Sequence, residues 1–463
     1  MAKLNRDILY LIFKELSHGN NSLRSYTLVN KTWCEVVIPI LWKNPWKYLT
    51  KERETLLFNV IISYLSDETK NNLKNQGMDY LENSYQTPLF DYFKFCRYLK
   101  LDEIVKLITK KTPSEIYISI KNEILNIFIN ENRKYTHLYI PYEFNDRIHL
   151  IPGAEHCLSE IEFLSCNVGI DDEDIIIGLT EICKSIKGLE LIIIRNINYG
   201  VIRLIEAPKK LNEVHFINHC IRDDESFCHI YLNSLIKHAN TIQYFKIIDQ
   251  TAITLSTFVN LKVLELVSEY KSDWYTLENW SLPFLQVLRT SFVPVKPLAS
   301  LIENTSKSLI EINIDNIYND KDDNKRIIQA IHKNCPNLIF LKVLFRNCSS
   351  SELEKLLTNC QYLKVLYIIT CEKFFNWDNL FEILMKSSPI GLFRFRFRIF
   401  TIVPLPKSES LKLFFDKWKG KRPMLLNFNN MKNAESSLIN KYEAEGLVKH
   451  YNNLRGDFDW ESP

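Results

Sequence analysis

Five residues within one short run, His215, His219, Cys220, Cys228 and His229, are of the types that hold zinc through imidazole nitrogen and thiolate sulfur. Asp171-Asp172-Glu173-Asp174 is an acid cluster of the kind that can hold a hard cation. A third run, Gly391-Leu-Phe-Arg-Phe-Arg-Phe-Arg398, alternates with period two. In a strand that places Phe393, Phe395 and Phe397 on one face and Arg394, Arg396 and Arg398 on the other. Arginines in such a row grip carboxylates or phosphates in bidentate fashion, and interleaved aromatics raise RNA as a ligand. Other chemistries are excluded. No two of the eleven glycines lie within eight residues of each other, so neither a phosphate-cradling loop nor a GxSxG elbow can be built. No motif assembles a nucleophile, a base and an orienting group.

The elements that must position these residues are repeats. From about Pro113 onward, segments of the form L-x-x-L-x-L recur, with starting positions roughly 19 to 31 residues apart, the range of leucine-rich repeats. The first clear ones are Leu158, Ile161 and Phe163, then Leu189, Ile192 and Ile194, then Leu211, Val214 and Phe216. The series continues through Ile242, Phe245 and Ile247, Leu261, Leu264 and Leu266, Leu285 and Leu288, and Leu309, Ile312 and Ile314. It ends with Leu338, Leu341 and Val343, Leu363, Leu366 and Ile368, and Leu392, Phe395 and Phe397. Weaker copies stand at Ile116 to Ile118, at Tyr135, Leu138 and Ile140, and at Leu426 to Phe428. The intervals read as helices. Ile175, Leu179, Ile182 and Ile186 share a face behind the acidic run, which belongs at a helix start because of the helix dipole. Ser351 and Glu354 suggest a capping box. No single coil can bury both its strand leucines and its helix face, but a stack of ten or more buries them continuously.

The repeat register also sorts the chemistry. His215 falls mid-strand, His219 and Cys220 in the following turn, and Cys228 and His229 on a helix, so chance clustering explains the run better than a zinc site that needs four converging ligands. No metal and no cofactor is expected. Phe393, Phe395 and Phe397 take core positions, which leaves the arginines on the concave sheet face. Glu160, Glu162, Glu213, Glu265, Glu311 and Asp315 would share that face in earlier coils, with Lys342, Arg394, Arg396 and Arg398 near the end. The expectation is a partner-binding surface that is acidic in its first and middle coils and basic in its last. A merely solvated strand face is the competing reading.

Size and composition agree with a folded, multi-part chain. Its 463 residues exceed one ordinary core, and 46% apolar with 24% charged residues is the balance of a folded protein. A net charge of +3 is close to balanced and argues for neither nucleic acid nor an anionic membrane as the main partner. No apolar run reaches the length that crosses a bilayer, and the N-terminus lacks a signal peptide's apolar core, so the cytoplasm or nucleus is expected. The eleven cysteines are scattered without a CxxC pair and read as small buried apolar residues.

The N-terminus is different in texture. Ile8, Leu9, Ile12, Phe13 and Leu16 line one helical face. After the polar stretch Ser17 to Ser22 come Leu23, Tyr26, Leu28, Val29, Trp33, Val36 and Val37, ended by Pro39. So many large apolar groups in under fifty residues make a small bundle with apolar surface left over. Leu4, Asp7-Ile8-Leu9, Ile12-Phe13, Leu16, Leu28-Val29-Asn30-Lys31 and Trp33 resemble an F-box, with Asn5 where most F-boxes have proline. The expected organisation is α/β: an N-terminal helical F-box bundle over 1–47, a helical connector over 48–112, a leucine-rich-repeat solenoid over 113–430, and a C-terminal cap or tail over 431–463. The solenoid would be a horseshoe of parallel strands with outer helices. The resemblance implies a non-catalytic substrate adaptor of a Skp–cullin–F-box ubiquitin ligase. Leu4, Asn5, Ile8, Leu9, Val29 and Trp33 would lie at or beneath the surface that docks the Skp adaptor of the cullin–RING ligase, and an unknown protein substrate would sit on the repeats. The alternative is a leucine-rich-repeat scaffold or inhibitor whose N-terminal helices only cap the stack.

Overall fold

The computed structural model describes residues 5–17, 23–47, 49–75, 88–141, 144–167, 173–193, 198–218, 226–249, 255–268, 274–315, 320–400, 403–428 and 433–450. The chain divides into two compact units, Met1–Leu211 and Asn212–Pro463.

The first unit opens with the helix Arg6–Ser17, the 3-10 turn Leu23–Leu28 and the helix Lys31–Leu41. Leu9, Phe13, Leu23, Val36 and Val37 form their common core, with Tyr26 and Trp33 packed against it. The Phe13 ring lies 5.4 Å from Tyr26 and 5.1 Å from Trp33, a compact aromatic cluster. Pro39 does not end the second helix as its type suggests. It stands close to the last turn, where losing one N–H breaks a single helical bond and the chain runs on to Leu41. The helices Lys51–Ser63 and Asp67–Asn75 follow.

Four parallel strands complete this unit: β1 Tyr98–Lys100, β2 His137–Tyr139, β3 Phe163–Asn167 and β4 Gly188–Ile193. They are hydrogen-bonded in sequence order. The stretch read as wholly helical, 48–112, therefore also contains β1, whose Leu99 is fully buried. The weak copy at Ile116 to Ile118 is no strand, because both residues lie in the helical stretch Ser114–Phe128 and Ile118 is exposed. Two further registers move. The buried triplet at β3 is Ile161, Leu164 and Cys166, not Leu158, Ile161 and Phe163, because Leu158 is already used by the short helix Ala154–Leu158. At β4 it is Leu189, Leu191 and Ile193 that face the core, while Ile192 turns away. Cys166 is thus a strand core residue, and burial pushes its thiol up to about 12.

The second unit carries ten more parallel strands, again hydrogen-bonded in sequence order. They are β5 Glu213–Asn218, β6 Tyr244–Ile248, β7 Val263–Val267, β8 Val287–Ser291 and β9 Glu311–Asp315. After them come β10 Phe340–Leu344, β11 Val365–Thr370, β12 Arg394–Ile399, β13 Met424–Phe428 and β14 Val448–His450. Here the expected register holds. Val214, Phe245, Leu264, Leu288, Ile312, Leu341, Leu366, Phe395 and Leu426 are fully buried in one continuous column. Each such side chain contributes about 1.5–3 kcal/mol against exposure. The strand β14 lies beyond residue 430, within the stretch expected as a cap or tail. The helix behind β10 is Ser350–Asn359, so Ser351 sits inside its first turn and is no capping residue. Glu354 pairs with Lys386 at 2.8 Å instead.

Candidate functional site

Two surfaces collect the residues singled out by type and spacing. The first is the outward face of the N-terminal bundle. Asn5 accepts the Leu9 amide on its carbonyl at 3.0 Å and the Asp7 amide on its side chain at 3.4 Å, so it starts the helix in the manner of an N-cap. Asn30 caps the helix Lys31–Leu41, its side chain accepting the Trp33 amide at 2.9 Å. These caps fix the two helices, and an ion pair between Arg6 and Glu35 ties them together. Of the expected docking residues, Leu9 is core and Trp33 is half-buried against Phe13, whereas Ile8 and Val29 are exposed and Asn5 is at the surface. Leu4 lies outside the described residues. Spacing alone missed how much more is exposed: Leu11 and Ile12 on the first helix, and Leu28, which is 88% exposed. Ile8, Leu11 and Ile12 follow i, i+3, i+4 and make a second apolar stripe beside the buried one.

This bundle is joined to the first repeat without slack. Trp42 stacks on Tyr92 with centroids 4.4 Å apart, and Trp46 is buried with its indole N–H donating to the Tyr98 carbonyl of β1 at 2.8 Å. The Arg97 amide donates to the Lys43 carbonyl at 2.9 Å.

The second surface is the strand face opposite the leucine core. The burial alternation of β5 to β8 and β12 puts Glu213, Glu265, Arg394, Arg396 and Arg398 there, and the register adds Glu311, Asp315 and Lys342. Glu160 and Glu162 do not join them. Because the β3 register shifts, the outward residues of that strand are Phe163, Ser165 and Asn167. Glu160 stands in the turn ahead of β3 and pairs with Lys134 at 2.5 Å, and Glu162 directly precedes the strand and pairs with Lys187 at 2.6 Å.

The expected acidity of the middle coils is also corrected. Arg289 on β8 reaches Glu265 on one side at 2.9 Å and Glu311 on the other at 2.8 Å, a partly buried triad across three neighbouring strands. Asp315 is held by Lys342 at 2.9 Å and by Arg398 at 3.5 Å. Arg289 was missed because its repeat shows only Leu285 and Leu288 of the apolar pattern; the signal was there in the alternation of Val-Leu-Arg-Thr-Ser. Lys246 on β6, in register with Glu265, was missed although its repeat shows Ile242, Phe245 and Ile247, which place it on the outward face. At the other end Lys342 lies 5.1 Å from the Tyr367 ring and Arg396 4.8 Å from the same ring. Burial pushes the Tyr367 phenol up.

For metal chemistry, His215 is mid-strand on β5 with Nε2 2.8 Å from Glu213. His219 and Cys220 lie outside the described residues, as do Asp171 and Asp172, while Cys228 and His229 fall in the helix Ser226–Leu235. Among the described residues no group of three or more His, Cys, Asp or Glu converges as a metal site, and no helix is long and apolar enough to cross a membrane.

Parallel strands one coil apart, a buried leucine column and helices in the intervals decide the architecture. The fold is that of leucine-rich repeats. No family model matches the chain, and no curated protein matches it. Among solved structures it is similar to the leucine-rich repeat-containing protein LegL7 from Legionella pneumophila, at 17% identity with a TM-score of 0.35. The match covers 62% of this chain and 89% of that one, a likeness too distant to bear on function.

Proposed function

We propose that this chain is the substrate-recognition adaptor of a Skp–cullin–F-box ubiquitin ligase, working in the cytoplasm or nucleus. It docks a Skp-type subunit through the N-terminal bundle and holds a protein substrate on the outward strand face for ubiquitination by other subunits. The observation that carries the reading is the stripe Ile8, Leu11 and Ile12, with Leu28 and Val29, left exposed on a bundle whose core is otherwise closed. A small domain does not keep that much apolar surface in water without a partner to cover it. The F-box resemblance of residues 4–33 names the partner class. The adaptor's contribution is effective concentration: it keeps a substrate lysine near the charged ubiquitin carrier.

The test is co-purification with a Skp adaptor. Ile8→Asp and Val29→Asp are the right substitutions, since both side chains are at the surface, whereas Leu9→Asp would place a charge in the bundle core. Loss of the adaptor with the fold intact supports docking. Full retention in both variants sinks it. A second reading, a scaffold whose N-terminal helices cap the stack, is favoured by the burial of Trp46 and its bond to Tyr98. Capping accounts for that joint and leaves the exposed stripe without a role.

A further inference from the structure

The outward positions of β10 to β12 hold four cations, Lys342, Arg394, Arg396 and Arg398, and no acid. Of the described carboxylates on β9, Asp315 serves both Lys342 and Arg398, and Glu311 is taken by Arg289. On the same outward face, in register with Lys342, Arg396 and Arg398, Leu344, Tyr367 and Ile369 form a buried apolar cluster that flanks the cations. The Nε of Arg394 is buried and has no hydrogen-bond partner among the described residues, on a side chain that is otherwise partly exposed. The three arginines recur every second residue of one strand, about 6.6 Å apart. An extended peptide laid along β12 presents every second side chain at the same repeat.

We propose that this face binds an extended segment of a partner protein that carries carboxylates or phosphates at alternating positions. The inference rests on the repeats being a partner-binding surface and not on the ligase: failed Skp docking would leave it standing. A single nucleic-acid strand also offers repeated anions, but its stacking needs open aromatic faces. Here Tyr367 is 8% exposed between Lys342 and Arg396, and Phe393 is 7% exposed with the Arg422 guanidinium 3.6 Å from its ring centre. Phe400, which continues the row, is packed against the Leu344, Tyr367 and Ile369 cluster with the Arg398 guanidinium 5.4 Å from its ring centre.

The test is fluorescence anisotropy on the full chain at fixed salt, with a labelled peptide of alternating glutamate and valine against an isomer that has its glutamates in one block. The alternating peptide binds about tenfold more tightly, and Arg396→Gln weakens it about tenfold, the scale of one charge-assisted contact. The combined Arg394→Glu, Arg396→Glu and Arg398→Glu chain should gain affinity for the peptide with lysine in place of glutamate, a gain that a misfolded chain cannot give. Phosphoserine in the alternating positions sets the source of the anion: tighter binding points to phosphate, equal or weaker binding to carboxylate, and both agree with the proposal. The chain's own residues 457–461, Asp-Phe-Asp-Trp-Glu, show the same alternation, so the measurement is repeated with Asp457→Asn, Asp459→Asn and Glu461→Gln together. Equal or tighter binding in that chain supports the proposal, and lost binding overturns it. Equal affinity for the two isomers, or an oligouridylate that binds more tightly than either peptide, overturns it as well.

Discussion

Replacing Arg289 with methionine tests the outward face at its most interdependent point. The side chain is 29% exposed and stands between Glu265 and Glu311, which are 18% and 8% exposed. Its Nε and a terminal nitrogen each donate a charge-assisted bond below 3 Å. Such a bond is worth about 1.5–3 kcal/mol, and the larger effect comes from what truncation leaves behind. Methionine fills much of the volume but removes the cation from between two carboxylates, one of them nearly buried. Removing one partner of a buried pair typically costs about 3–5 kcal/mol. Burial and the neighbouring Glu265 also push the Tyr244 phenol up, so it stays protonated and adds no further negative charge beside those carboxylates. Repeat arrays need not unfold in one step, so the assay is amide hydrogen exchange followed strand by strand, with urea unfolding beside it. Protection should fall by two to three orders of magnitude, about 3–4 kcal/mol, in β7 to β9 and less in β12. Adding Glu265→Gln and Glu311→Gln should restore most of it. If the single variant keeps wild-type protection in β8, or the two glutamines do not rescue it, the triad is solvated and the reasoning fails.

Three further outcomes follow from the same geometry. Thr290 occupies a core position that other coils fill with aliphatic residues or phenylalanine, and its hydroxyl is buried without a partner among the described residues; Thr290→Val should stabilise the chain by about 1 kcal/mol in urea unfolding. Asn30→Ala removes the cap over Trp33 and should cost about 1 kcal/mol, seen as faster exchange in Lys31–Leu41. Glu352 is pushed up by burial, but bonds from His332 and Lys355 more than offset this and hold its carboxyl below the ordinary 4.5. A depressed acid contributes stability above its unfolded value and loses it as pH falls through the folded one, so this contribution should fade below pH 4.5. Glu352→Gln should flatten the stability curve in that window, and an unchanged slope would show that the pair is not linked to folding.

The second unit was legible in the sequence because its coils keep strict leucine spacing, and one buried residue fixes the face of every neighbour two positions away. Where the spacing was ambiguous the reading slipped. Around β3, Leu158, Ile161 and Leu164 are all apolar, and only the short helix ending at Leu158 decides which of them opens the strand. That slip carried Glu160 and Glu162 onto the wrong face. The strand β1 was hidden because it spans only Tyr98–Lys100 and leads straight into a helix. Ion pairs across coils, such as Glu265 with Arg289, join residues far apart in sequence, and periodicity within one coil says nothing about them. The exposed stripe of the bundle was half legible: the helical face was plain, but which of its residues are covered depends on Phe13, Tyr26 and Trp33 closing the core from one side.

The joint at Trp42 and Trp46 has a mechanical meaning of its own. A flexible tether lets a bound cargo sample many orientations, and its effective concentration at any target falls off smoothly with tether length. A joint closed by a buried indole and two backbone-directed hydrogen bonds does neither. A partner seated on the bundle would be held at a fixed angle to β1. Loosening that joint, by Trp46→Ala, would remove the bond to Tyr98 and free the angle while leaving the bundle core of Leu9, Phe13, Leu23, Val36 and Val37 in place.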